Sequence, residues 1–327
     1  MGDGDGSRHG GGGSRRSRWP ERHRRLRRGV GLRRPTLRHR LEYGLFRLVT
    51  GIVGLLPEGA ALALGGFLGW LGGSVLRIRR SVVDRHLEMA YPDRSEAWRR
   101  RVARASYRHL GRESVAMLRM SALDRDDLVA RTRVEGLEAV QHALERGRGI
   151  VFVTGHLGNW EIGGAAVAAR GVPVAAVALR QGNPLFDRDL VRTREELGMR
   201  VIYKIDAPRS VLRTLNAGGT VALVADQNPI RGGIPVEFFG REANTARGPA
   251  VLALRSGAPV FLGVALRTEG GDHDYDVTLR EVPVEPSGDL EDDVHRLVQA
   301  YTVLLETAIR EAPEQYFWHH RRWKRRG

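Results

Sequence analysis

No cysteine occurs anywhere in the 327 residues. Disulfide frameworks, cysteine zinc centres, iron–sulfur ligation and thiol nucleophiles are thereby excluded, and the redox compartment is left open. Lysine is almost as scarce, with Lys204 and Lys324 the only two. The arginine excess thus reflects overall composition as much as selection for guanidinium chemistry. A Gly-x-Ser-x-Gly elbow and internal repeats are also missing. What is abundant is apolar material: 42% of the chain is hydrophobic, enough for a substantial core and too much for a disordered polymer.

The net charge of +15 is unevenly placed. Residues 1–40 carry thirteen arginines against Asp3, Asp5 and Glu21, and the last seven residues carry five cations and no acid. The body between them is formally neutral. Two basic ends suit an anionic membrane surface or an acidic protein. They also suit nucleic acid, but no reading module such as a zinc finger or an RNP signature accompanies them, so no nucleic-acid partner is expected.

The chain divides into three regions. Residues 1–40 read as a disordered Arg-rich arm, without the apolar core and cleavage site of a signal peptide. Residues 41–80 read as a hydrophobic membrane-anchor region. Within it, the uncharged run Gly59–Leu76 covers about 27 Å as a helix, close to the thickness of a bilayer core. Its many glycines and alanines also permit a pair of buried helices. Residues 81–327 read as the catalytic domain: a helical lead-in (81–148), an α/β core (149–312) and a basic C-terminal segment (313–327). In the core, short apolar runs at Ile150–Val153, Val174–Leu179, Val201–Tyr203, Val221–Val224, Val260–Leu266 and Tyr275–Leu279 alternate with helical stretches. That alternation predicts a mostly parallel central sheet flanked by helices.

The segment Gly149–Glu161 (GIVFVTGHLGNWE) concentrates the chemistry. A β-branched strand runs into His156, bracketed by Gly155 and Gly158, and a helix is expected from Trp160. The carboxyl end of a buried strand is where α/β proteins place their sites. On one helix, His156 and Glu161 would lie about 140° apart; with His156 in the turn and Glu161 in the first helical turn, they can meet. A carboxylate on one imidazole nitrogen leaves the other free to act as a base. The competing reading has His156 capping the helix and Glu161 favouring its dipole. The spacing is not that of a zinc helix, so no metal is expected.

His-x4-Glu within Gly-Asn-Trp-Glu resembles the motif of the late lipid A biosynthesis acyltransferases, a group within the lysophospholipid acyltransferase-like superfamily. Further blocks follow in the same order: Asn183-Pro184 with Asp187 and Arg194, GGTVALVADQ at Gly218–Gln227, the Phe/Thr/Gly block at Pro235–Gly257, and PEQYFWHHRRWKR at Pro313–Arg325. The resemblance implies an inner-membrane enzyme facing the cytoplasm. It would move a fatty acyl group from acyl carrier protein or coenzyme A, as co-substrate, to a hydroxyl of a lipid A precursor, with no resident cofactor. It implies His156 as base and Glu161 as its partner, with Arg194 near the thioester or an anionic substrate group. Asn159, Asp226, Gln227 and Arg247 are further candidates for substrate binding. His86-Leu87 and Asp226-Gln227-Asn228 depart from the commoner Asn-Leu and Asp-His of that family. The acceptor therefore stays open between lipid A precursors, phosphatidylinositol mannosides and lysoglycerolipids, and a non-catalytic lipid-binding protein is the alternative outside enzymes.

Among the remaining signals, Asp226 can orient a substrate, pin Arg194 or serve only as a turn residue. Thr245-Ala246-Arg247-Gly248 can open an anion-binding helix or merely cap one. Asp272, His273, Asp274 and Asp276 read as a solvated hairpin. His319-His320 is expected at the surface, and Trp318 and Trp323 either at a membrane interface or in a packed terminal segment.

Overall fold

The computed structural model describes residues 34–323 apart from residues 230, 231 and 271. The expected arm therefore falls outside the described residues up to residue 33, as do the last four residues. Residues 34–40, placed in that arm by composition, already belong to the folded part. Thr36 caps helix α1 (Leu37–Leu55) by accepting from the His39 amide, while the His39 ring accepts from the Thr36 amide.

After α1 come α2 (Glu58–Trp70), a π-turn (Leu71–Val75), α3 (Arg80–Ala90), α4 (Glu96–Arg119) and α5 (Arg125–Arg131). Ser95 starts α4 by accepting from the Trp98 amide. The α/β part then runs β1 (Thr132–Glu135), α6 (Leu137–Glu145), β2 (Ile150–Thr154), α7 (Trp160–Ala169), β3 (Val174–Ala178), α8 (Pro184–Glu196), β4 (Arg200–Tyr203), α9 (Ala207–Asn216) and β5 (Thr220–Val224). It continues through β6 (Gly233–Phe238), β7 (Arg241–Ala246), α10 (Gly248–Ser256), β8 (Val260–Arg267), β9 (Tyr275–Glu281) and α11 (Leu290–Glu311).

Seven strands form one sheet in the order β1-β9-β8-β2-β5-β3-β4, parallel except for the β8–β9 hairpin. Strand β2 lies in the middle and shows why its sequence is apolar throughout. Ile150 and Phe152 face the layer that holds Ile162 of α7 and Val140 of α6, whereas Val151 and Val153 face the layer that holds Leu215 and Leu305. A strand buried on both faces has no polar side to present. The fold is therefore α/β, a mostly parallel sheet with helices on both faces. Two elements escape the apolar pattern. Strand β1 is four residues at the sheet edge, and β6–β7 is a separate antiparallel hairpin whose tight turn puts Phe239 and Gly240 at φ +54° and +66°.

The expected anchor region is corrected in one respect. No single helix among the described residues is long and apolar enough to cross a membrane; the run through Glu58–Val75 meets α3 at a bend of 89°. The glycines that weakened its hydropathy have a packing role instead. A Cβ on Gly69 would lie 2.0 Å from the Tyr107 carbonyl oxygen, and one on Gly111 would lie 2.0 Å from that of Gly65. Helices α2 and α4 thus touch backbone to backbone, an approach that only glycine permits.

Candidate active site

Strands β2 and β5 pair in parallel from Ile150↔Thr220 to Thr154↔Val224. Their chains leave the sheet at the same level, and His156 and Asp226 stand side by side two residues further on. The His156 Nδ1 lies 2.7 Å from Asp226 Oδ1, and the His156 backbone N–H donates to Asp226 Oδ2 at 2.9 Å. One carboxylate thus receives both the ring and the backbone of the same residue. This fixes the tautomer: Nδ1 carries the proton toward Asp226, and Nε2 presents a lone pair. The Gln227 Nε2 amide sits 3.2 Å from that lone pair, as a donor should. Trp160 and Phe317 flank the ring at centroid distances of 4.7 and 6.0 Å.

The electrostatics follow from the pairing. Burial disfavours an imidazolium, but the charge and hydrogen bond of Asp226 outweigh it and hold His156 above its ordinary value. Asp226 is buried, which alone would raise its value; the His156 charge, two hydrogen bonds from His156 and the nearby Arg322 guanidinium hold it down instead. His156 keeps 19% of its side-chain surface against 3% for Asp226, so the imidazole faces outward and its partner is sealed.

This arrangement corrects the expected pairing of His156 with Glu161. Glu161, in the first turn of α7, is gripped by Arg194 from the last turn of α8, Oε1 to Nη2 at 2.5 Å and Oε2 to Nε at 2.8 Å. Both side chains are largely buried. Arg194 is thus held by Glu161 and not by Asp226, and the fork-to-fork pair ties helix α7 to helix α8.

Asn159 caps α7 through Oδ1 to the Ile162 amide. Its Nδ2 donates to Glu113 Oε2 at 2.8 Å, so its amide is engaged inside the protein. Glu113, on α4, is a residue that motif reading missed. Its Oε2 also accepts from Tyr275, and its Oε1 accepts from Arg267 Nε. Burial would raise its carboxyl, but the Arg267 charge and these hydrogen bonds hold it below the ordinary value. His109 beside it is pushed by burial down to about 4 and stays neutral. The signal available in sequence was a lone glutamate on the largely apolar buried face of α4, with Val102, Ala103 and Val115 along the same helix.

The terminal segment closes over the same loop. The Phe317 amide donates to the His156 carbonyl, the Gly158 amide to the Gln315 carbonyl, and Gln315 exchanges two side-chain bonds with the Arg267 backbone. Trp318 is fully buried and His319 is buried beside it, its ring meeting Tyr107 at 4.3 Å. The surface position expected for His319 and the membrane-interface option for Trp318 are therefore replaced by a packed segment. Arg322 reaches back to the Asn244 carbonyl and Thr245 Oγ1. Arg247 pairs with Glu291 at 2.5 Å, which engages the guanidinium expected to bind an anion at the start of α10. Asp276 bonds Arg133 and His273, and Asp274 bonds Arg131. Among the described residues no three acidic or histidine side chains are grouped to hold a metal.

The family model of bacterial lipid A biosynthesis acyltransferases matches residues 33–325. The chain belongs to this family. Similar proteins include the lipid A biosynthesis lauroyltransferase of Escherichia coli K12, 29% identical over 291 residues, or 87% of this chain and 93% of that one. The palmitoleoyltransferase of the same organism is 28% identical over 274 residues, 83% and 87% of the two chains. The phosphatidylinositol mannoside acyltransferase of Mycolicibacterium smegmatis is 32% identical over 165 residues, 49% of this chain and about half of that protein, 53%. The acyltransferase carries its His-x4-Glu motif on the exit of β2, with the histidine and the glutamate engaged by different partners.

Proposed function

We propose that this acyltransferase moves a fatty acyl group from a thioester, carried on acyl carrier protein or coenzyme A, to a lipid hydroxyl, with His156 as general base. The observation that carries this reading is the buried Asp226 carboxylate on Nδ1 with Nε2 left as an outward-facing acceptor. An alcohol is a poor nucleophile at neutral pH. The acceptor hydroxyl displaces the Gln227 amide at Nε2, gives up its proton to it, and attacks the thioester carbonyl carbon. Such a base contributes about 10²–10⁴-fold. The tetrahedral intermediate collapses with cleavage of the C–S bond, and the imidazolium returns the proton to the leaving thiolate. The Arg194 guanidinium and the Gly158 amide already have partners in Glu161 and Gln315, so Gln227 is the donor best placed for the oxyanion. Direct transfer suits a chain without cysteine.

A membrane location at the cytoplasmic face of the inner membrane is supported by α1. Leu37, Leu41, Leu45, Leu48, Ile52 and Leu55 recur at three- and four-residue steps along it and are all exposed. A helix with such a stripe is suited to lie in a bilayer interface. The acceptor is a lipid A precursor on the similarity that spans most of the chain, with a phosphatidylinositol mannoside as the second reading because of the 32% identity over half of it.

The test is acyl transfer by purified wild-type and His156→Ala protein, with mass spectrometry of the lipids of cells with and without the protein. A loss of transfer with folding preserved supports the base, and the parent ion identifies the acceptor. Equal rates for the two proteins would falsify the mechanism.

A further inference from the structure

A groove of about 590 Å³ opens between the corner after α2, helix α3 and the first half of α4. Five arginines line it against three carboxylates. Two of the arginines are neutralised in place, Arg80 by Asp84 at 2.8 Å and Arg100 by Glu96 at 2.6 Å. Arg99 bonds the carbonyls of Tyr91, Pro92 and Arg94. The Arg77 and Arg104 side chains engage no partner among the described residues and face the groove with only Glu88 unpaired opposite them. The groove is therefore cationic, with free guanidinium donors.

Its rim is apolar. Val75, Leu76 and Ile78 are all exposed and stand on either side of Arg77 in the chain. The corner is fixed rather than loose: the Tyr107 hydroxyl donates to the Ile78 carbonyl, Arg79 Nη1 to the His319 carbonyl at 3.0 Å, and the Ile78 amide to the Gly72 carbonyl at 2.9 Å. A free phosphate in solution would have no use for three rigidly presented apolar side chains beside the cations. A lipid bilayer offers both chemistries next to each other, the phosphate at its surface and the acyl chains just beneath.

We propose that this groove seats the phosphate of an acidic membrane phospholipid, with Val75, Leu76 and Ile78 dipping among the acyl chains, and so fixes how the enzyme lies on the bilayer. The proposal rests on the membrane reading above and names the lipid class that reading left open. Arg77 and Arg104 supply the phosphate contacts, and no residue of the His156–Asp226 pair takes part.

The experiment sediments the full-length protein with phosphatidylcholine vesicles, with and without phosphatidylglycerol. It compares wild type, the groove variant Arg77→Ala/Arg104→Ala, and a control, Arg146→Ala/Arg148→Ala, which removes the same charge from exposed positions outside the groove. The groove variant should lose about thirtyfold in partition onto phosphatidylglycerol vesicles, the effect of two surface cations at ~1 kcal/mol each. The control should lose no more than a few-fold, and both variants should keep wild-type turnover on detergent-solubilised substrates. Failure of the wild type to bind either vesicle overturns the membrane reading. Binding by the wild type with an equal loss in control and groove variant, or no loss in the groove variant, overturns the phospholipid seat alone. A groove variant that binds vesicles normally but raises KM only for an acidic carrier-protein donor makes the groove a protein-docking face, and the proposal falls.

Discussion

Two carboxylates stand near the His156 loop and hold different partners, so isosteric amides at each should give different enzymes. Asp226 accepts from two donors of one residue, the His156 Nδ1–H and the His156 backbone N–H. An amide at this position has one oxygen. In Asp226→Asn, either the oxygen stays on the ring and the amide NH2 opposes the backbone N–H, or it turns to the backbone and the NH2 faces Nδ1. The second arrangement moves the ring proton to Nε2 and abolishes the base; the first leaves a buried donor unpaired. The expected loss in kcat is therefore most of the contribution of a positioned base, about 10²–10⁴-fold. Glu161→Gln leaves the imidazole untouched. Its effect falls on the Arg194 pair, where breaking a buried ion pair costs about 3–5 kcal/mol of stability, readable as a lower urea midpoint.

The pH profile separates the two more sharply than the rates. As the proposed base His156 must be neutral to act, and Asp226 holds its value above the ordinary 6.5. In wild type, kcat/KM should then rise with pH through a midpoint above 6.5 and level off beyond it. Removing the Asp226 charge leaves burial as the dominant influence, which favours the neutral ring, so the residual activity of Asp226→Asn should have its acid limb moved to lower pH. Glu161→Gln should keep the limb where it is. Thiol release from an acyl-thioester donor between pH 5 and 9 measures both. A limb that moves in Glu161→Gln and stays in Asp226→Asn would refute the assignment of partners.

The surrounding scaffold yields further expectations. Glu113→Ala leaves Arg267 buried without its carboxylate and frees the Asn159 amide, so it should cost about 3–5 kcal/mol of stability, read as a lower urea midpoint, and reduce kcat, while Glu113→Gln recovers part of both. Gly158→Ala should be among the worst single substitutions in the chain, because its φ is +58° and a Cβ would lie 1.9 Å from the Ala265 carbonyl oxygen. Gly147→Ala, at φ +76° with open space around it, should cost only about 1 kcal/mol of backbone strain; thermal melts of the two variants check the contrast. Gly69→Leu should part α2 from α4, read as protease sensitivity in the first hundred residues with the sheet intact.

The sheet was legible because its inner strands, β2 and β8 above all, are buried on both faces, and six apolar runs correspond to six of its seven strands. Strand β1 was not, since Thr132–Glu135 alternates charge with apolar residues at an edge. The hairpin β6–β7 escaped for a different reason: Pro235 and the polar REANTA run carry no strand signal, and its register comes from the Phe239-Gly240 turn. The glycine-rich run before Arg77 was ambiguous in principle. Small residues lower the energy of inserting a helix poorly and of packing two helices closely well, and composition cannot say which neighbour they meet. Helix α4, which supplies that neighbour, reads from sequence as a charged amphipathic helix with no hint of a glycine-lined groove.

The strand exit that carries His156 was legible and the side chain its ring meets was not, and the cause is geometric. Distance along the chain favoured Glu161, five residues away, over Asp226, seventy away. Yet a helix that begins at Trp160 turns its first carboxylate toward whatever packs beside it, here Arg194, whereas parallel strands of equal length deliver the residues beyond their ends to the same place. The runs IVFVT and TVALV are five residues each, pair in register throughout, and are followed by Gly-His and Ala-Asp. The same offset that pairs Ile150 with Thr220 pairs His156 with Asp226. In an α/β chain, a catalytic histidine just past one strand should accordingly be matched first against acids just past other strands of the same length. The nearest carboxylate in sequence comes second, because the sheet's register fixes the former contact while the latter depends on how a helix happens to be turned.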